Sequence, residues 1–153
     1  FAQYRNVPLL GISIFDVGGE VDTIAYYRSK GNSGNQDETY RRLLDTVSRA
    51  FQADGREQER LLGEMATESA RLNQEHLPKA RLDDFIAAAE EKGALGVLVA
   101  HSGTVVGALW ASDMRAADME ARTQELAEAF DGAYTYMQDA RLISGGVVCE
   151  IRA

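Results

Sequence analysis

The sequence predicts an α+β domain, an antiparallel sheet backed by helices. Strand-like runs rich in β-branched and aromatic residues occupy both ends and the middle of the 153 residues. Stretches with a helical apolar period lie between them, and Gly, Asn, Asp and Ser clusters punctuate the changeovers. The resulting order is strand, strand, three helices, strand, strand, helix, strand, strand.

Each element has its own signal. Residues 9–15 and 21–27 read as extended runs separated around Gly18-Gly19, which predicts a tight hairpin, and residues 30–36 carry turn formers and read as a loop. Leu43, Leu44, Val47, Ala50 and Phe51 share one helical face, expected to point inward and to stop at Asp54-Gly55. A second stripe of Leu61, Leu62, Met65, Ser69 and Leu72 runs up to Pro78, and a third of Leu82, Phe85, Ile86 and Ala89 stops at Lys92-Gly93. Residues 95–100 and 104–110 read as two buried strands meeting at His101-Ser102-Gly103. Met119, Thr123, Leu126, Ala127 and Phe130 mark a further inward helical face that closes at Asp131-Gly132. Residues 133–137 and 147–151 supply two more strands joined through Ser144-Gly145-Gly146. Trp110, Phe85 and Phe130 are expected in the core, and Tyr134 and Tyr136, on one face of a strand, are expected partly buried.

Composition narrows the function classes. A chain of this length forms one compact domain with a core of its own. The net charge of −8 and the lack of a basic patch argue against nucleic acid as a partner. No apolar run approaches the ~18 residues of a membrane span, which argues against a membrane. Cys149 is the single cysteine and His76 and His101 the only histidines, too few for a cysteine and histidine zinc site, so no metal site is expected and a reducing cytoplasm fits. The chain begins at Phe1 without Met or a signal peptide, as a fragment or a processed start would.

Two constellations carry candidate chemistry. In Asp16-Val17-Gly18-Gly19-Glu20-Val21-Asp22-Thr23, two glycines let the backbone turn while three carboxylates and a hydroxyl crowd one short segment. It reads either as a turn with solvated acids or as a polar substrate wall, in which Asp16 and Asp22 accept hydrogen bonds from an amine or hydroxyl. In Val99-Ala100-His101-Ser102-Gly103-Thr104-Val105-Val106-Gly107, a polar tetrad interrupts two apolar strands. It reads either as a plain turn with a surface His101 or as a concavity of backbone N–H groups and hydroxyls that suits an anion. No catalytic nucleophile or base is identified, since one histidine, His101, without an evident base partner does not make a nucleophile system. The charged residues of 38–76 are expected to be solvated helix faces. Neither a G-x-x-x-x-G-K-[ST] loop nor a strand-linked G-x-G-x-x-G occurs.

As a pair in this order, residues 15–23 and 99–107 resemble motifs of the L-threonine kinases linked to cobalamin synthesis and propanediol utilisation, members of the GHMP superfamily. The resemblance spans roughly residues 8–152. It implies a ferredoxin-like C-terminal domain over residues 1–153, with the N-terminal domain that bears the ATP loop absent from this chain. It also implies transfer of the γ-phosphoryl of MgATP to the hydroxyl of L-threonine or a similar small alcohol. On this basis Asp16, Gly18, Gly19, Asp22, Thr23, His101, Ser102, Gly103 and Thr104 are candidate substrate- or phosphate-binding residues. The tetrad stands where the superfamily has a second glycine-containing loop, although that loop is commonly richer in glycine and preceded by lysine. ATP and Mg are expected cofactors of the full-length enzyme, with none expected for this chain alone, which should be inactive. The expected partners are a small-molecule substrate and the N-terminal kinase domain, with a homo-oligomer left open. The competing reading is a stand-alone ferredoxin-like metabolite-binding or dimerisation module without catalysis.

Overall fold

The computed structural model describes residues 7–19, 37–100 and 103–143. Strand β1 (Gly11–Asp16) is followed by helices α1 (Asp37–Ala50), α2 (Gly55–Asn73) and α3 (Leu82–Glu91). Strands β2 (Gly96–Val99) and β3 (Val105–Trp110), helix α4 (Ala116–Ala129) and strand β4 (Thr135–Arg141) complete the order. The four strands form one antiparallel sheet in the order β2-β3-β1-β4. Strand, helices, strand, strand, helix, strand in that spatial order is the ferredoxin-like split βαβ arrangement, as expected.

Alternation along β1 buries Gly11, Ser13 and Phe15 and leaves Ile12 and Ile14 half-buried, so one face of the sheet is covered, by α3 and α4. Phe15, Val97, Val106, Ala108 and Trp110 from that face pack with Phe85 and Ile86 from α3, Leu126 from α4 and Phe130 just beyond its end. Ser13 is the one polar residue on β1's buried face and is fully satisfied there. Trp110 Nε1–H donates to its Oγ at 2.8 Å, and that hydroxyl shares a 2.5 Å hydrogen bond with Thr123. A second cluster of Leu10, Ala50, Leu61 and Leu62 holds the α1–α2 corner against the start of the sheet.

Helix α2 lies directly on the outer edge of β2. A Cβ on Gly63 would overlap the Leu95 carbonyl, and one on Gly96 would overlap the Gly63 carbonyl, so only glycine at both positions permits this approach. The Thr67 hydroxyl then accepts the Val97 N–H at 2.9 Å, satisfying a strand donor that has no strand beside it.

Several expectations are corrected. The hairpin pairing of residues 9–15 with 21–27 fails on its first half, because both edges of β1 are taken from Gly11 to Asp16, by β3 and by β4. Residues 21–27 themselves lie outside the described residues, as do the loop at 30–36 and the strand expected at 147–151. Leu44 is 66% exposed instead of inward, because α2 covers α1 along the line of Leu43 and Ala50. The last described strand starts later and runs further than residues 133–137. Ala133 and Tyr134 belong to the preceding turn, where their N–H groups bond the Phe130 carbonyl. Tyr134 is consequently buried while Tyr136 is 41% exposed. Glu59 is no solvated helix-face acid either: it is buried and accepts hydrogen bonds from the Ser112 hydroxyl and N–H. Trp110, Phe85 and Phe130 are core residues as expected. Among the described residues no helix is long and apolar enough to cross a membrane.

Candidate functional site

The sheet brings the two polar constellations side by side. Asp16, the last residue of β1, pairs with Val105 at the start of β3 on one side and with Thr135 at the start of β4 on the other. Beyond the strands the ladder continues for one more bond, Val17 N–H to the Thr104 carbonyl at 2.9 Å. Residues separated by most of the chain thus meet at one end of the sheet, which the order of strands dictates and no local pattern announces.

The chemistry of this end centres on Asp16. A hydrogen bond from the Thr104 side chain, and then one from the Gly18 N–H at 3.0 Å, hold its carboxyl below the ordinary carboxylate range. Asp16 is therefore a standing negative charge and hydrogen-bond acceptor at neutral pH, half-buried at the strand end. The chain leaves it through Gly18 and Gly19, whose φ angles of 72° and 86° lie in the left-handed region, with open space where a Cβ would be. The glycines are required by backbone conformation, and the turn they make is exposed. Across from it, Gly103 and Thr104 are half-buried, and the Ala100 N–H bonds the Val105 carbonyl at 2.8 Å to close the base of the β2–β3 turn.

Of the residues proposed from sequence, Asp16, Gly18, Gly19, Gly103 and Thr104 are thus neighbours at one end of the sheet. Asp22, Thr23, His101 and Ser102 lie outside the described residues.

The same end has a wall that sequence reasoning missed. Tyr134 donates its hydroxyl to the Ala80 carbonyl at 2.8 Å, tying the entrance of α3 to the start of β4, and burial pushes that hydroxyl up to about 12. Phe15, Phe85, Phe130 and Tyr134 form a chain of rings with centroids 5.0–5.3 Å apart, which stiffens the floor beneath Asp16. Arg81 sits over the Phe130 ring at 4.6 Å and bonds Asp84 at 3.1 Å. Lys79 is buried, its ammonium nitrogen has no hydrogen-bond partner among the described residues, and desolvation lowers its pKa. Nothing in the sequence marks Lys79, which precedes a helix as many solvated lysines do.

Two other hollows are chemically different. One of about 270 Å³ on the second face of the sheet is lined by Ile12, Leu62, Met65, Leu98 and Leu109 and carries no titratable group. The other, about 360 Å³, lies between α4 and β4 and is bordered by Met119, Glu120, Tyr136 and Asp139. Among the described residues no group of three or more His, Cys, Asp or Glu side chains is arranged to hold a metal ion.

Comparison with known proteins gives the fold a family context. The family described as GHMP kinases C terminal matches residues 48–129, more than half of the chain. The structure of L. major mevalonate kinase in complex with R-mevalonate superimposes with a TM-score of 0.59 at 18% identity, covering 86% of this chain and 41% of that chain. Homoserine kinase from Cytophaga hutchinsonii superimposes with a TM-score of 0.55 at 19% identity, covering 92% of this chain and 44% of that chain. The chain therefore spans less than half the length of either kinase. No curated protein sequence matches it.

Proposed function

The chain belongs to the family of GHMP kinase C-terminal domains, and from that premise we propose that it forms the substrate-facing half of a small-molecule kinase. The observation that carries this reading is the juxtaposition of the Asp16 turn with the Gly103-Thr104 turn through the Val17–Thr104 bond. These are the two segments whose sequences resemble L-threonine kinases, and the acceptor proposed is the hydroxyl of L-threonine or a similar small alcohol.

In this arrangement Asp16 accepts a hydrogen bond from the ammonium or hydroxyl of the acceptor, for which a permanently ionised carboxylate is suited. The Gly103-Thr104 turn, with His101 and Ser102 before it, faces the transferring phosphate or the acceptor's carboxylate. Asp22 and Thr23 extend the wall from the other turn. The carboxylate of Asp16 suits an ammonium or hydroxyl donor better than a polyanion. The reading therefore assigns MgATP to a loop on an N-terminal domain outside this chain, consistent with the chain spanning less than half of the matched kinases. Phosphoryl transfer depends on positioning and charge stabilisation, so the isolated chain is expected to be inactive.

The test is to measure catalytic efficiency and melting temperature together for Thr104→Val and Ser102→Ala in the full-length kinase. For Ser102→Ala, losing a hydroxyl bonded to a charged group costs about 1.5–3 kcal/mol, or roughly 10- to 150-fold in kcat/KM, with the melting temperature little changed. Thr104→Val also removes the hydrogen bond its hydroxyl donates to Asp16, so its loss of turnover acts through Asp16 and comes with only a small fall in melting temperature. Parent-like turnover in both variants removes the loop from the active site. A fall in turnover matched by a fall in melting temperature makes it structural.

A further inference from the structure

The two edges of the sheet are treated differently. On the β2 side, α2 lies against the strand and Thr67 satisfies the Val97 N–H. On the β4 side no element among the described residues covers the strand, and Thr135–Arg141 is exposed on both faces except at half-buried Ala140. Large apolar side chains collect there: Tyr136 is 41%, Met137 55% and Ile143 74% exposed. An open edge with apolar neighbours is a template for another strand.

The backbone and the charges specify which strand fits. The Leu142 N–H donates to the Leu10 carbonyl at 2.8 Å, so Leu142 and, two residues back, Ala140 turn their backbone groups toward β1. Strand alternation then directs the N–H and C=O groups of Asp139 and Arg141 outward. An antiparallel copy of β4 centred on Ala140 would place Asp139 of each chain opposite Arg141 of the other, using those outward groups. It would also bring Met137, the residue at the β4 bulge that has no partner on β1, close to Ile143. Moving the centre by one residue in either direction sets Asp139 against Asp139 or Arg141 against Arg141, and like charges directly opposed destabilise a sheet.

Asp139 and Arg141 both project to the face that carries α4, because their β1 partners Ser13 and Gly11 are on the buried face. Glu120 of α4 borders the same hollow as Asp139, so an incoming guanidinium meets two carboxylates. Among the described residues Arg141 reaches the carbonyls of Leu9 and Ser112, each at the outer limit of 3.5 Å, and leaves donors to spare there.

We propose that the outer edge of β4 is a self-recognition surface, joining two copies of this chain as an antiparallel β4–β4 pair centred on Ala140. The interface is isologous, each Asp139–Arg141 pair occurring twice about the two-fold axis.

Sedimentation equilibrium of the chain across a wide concentration range, with charge-reversal variants, tests this. The parent is expected to dimerise reversibly, and the outward amides of Asp139 and Arg141 are expected to gain hydrogen-exchange protection as concentration rises. Asp139→Arg and Arg141→Asp singly each replace two attractive pairs by two repulsive ones and should weaken association by about tenfold or more. The double variant Asp139→Arg/Arg141→Asp restores opposite charges in the same register and should recover dimerisation. If a single reversal fails to fold, Met137→Lys at its exposed position provides the second disruption. A parent that stays monomeric throughout overturns the proposal, whether its β4 amides are unprotected or are protected independently of concentration by a segment of the same chain. A double variant no better than either single also overturns it.

Discussion

Replacing Ser13 by Ala removes one oxygen atom from the middle of the sheet and leaves two polar groups without their partner. The Trp110 indole N–H, fully buried, loses its acceptor at 2.8 Å, and the Thr123 hydroxyl loses its 2.5 Å contact. A buried donor left unsatisfied costs about 1–3 kcal/mol, and no solvent reaches a residue of 0% exposure to compensate. About 2 kcal/mol is a reasonable centre, which for a chain of 153 residues corresponds to roughly 4–8 °C in melting temperature. Thr123→Val keeps the shape, leaves Ser13 accepting from Trp110, and should cost only about 1 kcal/mol. The double variant should be hardly less stable than Ser13→Ala, because that change has already removed the partner of Thr123. Thermal and denaturant unfolding followed by fluorescence provide the assay, since Trp110 is the single tryptophan and reports the loss of its own hydrogen bond. If Ser13→Ala unfolds with the parent, or if the two single costs add in full, the three groups do not act as a network and the reasoning is wrong.

Gly96→Ala should destabilise by about 3 kcal/mol, at the upper end of overpacking costs, because the new Cβ meets the Gly63 backbone. Gly103→Ala, whose new Cβ meets the Ala100 Cβ at 3.4 Å and nothing else among the described residues, should be close to neutral in the same denaturant titration. Carboxyl NMR titration should place Asp16 below an ordinary aspartate, and Thr104→Val should raise its pKa. The sign follows from linkage: with its folded pKa depressed, Asp16's contribution to stability is fully present above its unfolded pKa and is lost as pH falls through the folded value. Lys79→Met should raise the melting temperature at neutral pH, by about 1–3 kcal/mol equivalent, by removing a buried ammonium without a partner among the described residues. That advantage should shrink as pH rises toward 10.5, because a lysine whose folded pKa is lowered loses its burial penalty once it deprotonates in the native state. An advantage independent of pH would show that packing, and not charge, is responsible.

Local patterns in the sequence were readable where the physics is local. Helix α3 shows its inward face as Leu82, Phe85, Ile86 and Ala89 and ends before Gly93, as periodicity and turn chemistry indicate. Strand β1 is similarly clear. Its neighbours are not, because a Gly-Gly step favours a hairpin locally while the strands that occupy both edges of β1 come from far along the chain. The burial of Glu59 has the same origin: its hydrogen-bond partner Ser112 is 53 residues away. At the candidate site, residue chemistry singled out the two turns separately, and only the strand order puts Asp16 next to Thr104. Lys79, Tyr134 and Thr135 join that end through packing, for which their immediate sequence neighbours offer no signal.

The close seating of α2 on β2 through Gly63 and Gly96 limits how many chains the sheet can recruit. One flank is occupied by a helix, so the sheet formed by the described residues has a valence of one. A strand added at β4 from an identical copy uses up the vacancy that the described residues leave on both molecules, and no third can follow. A bulkier residue at either glycine would do more than loosen the helix: by lifting it, the substitution would free the β2 flank and raise the valence to two. End-to-end propagation, forbidden to the parent, then becomes geometrically allowed, and fibrous aggregation is the phenotype to look for in such variants.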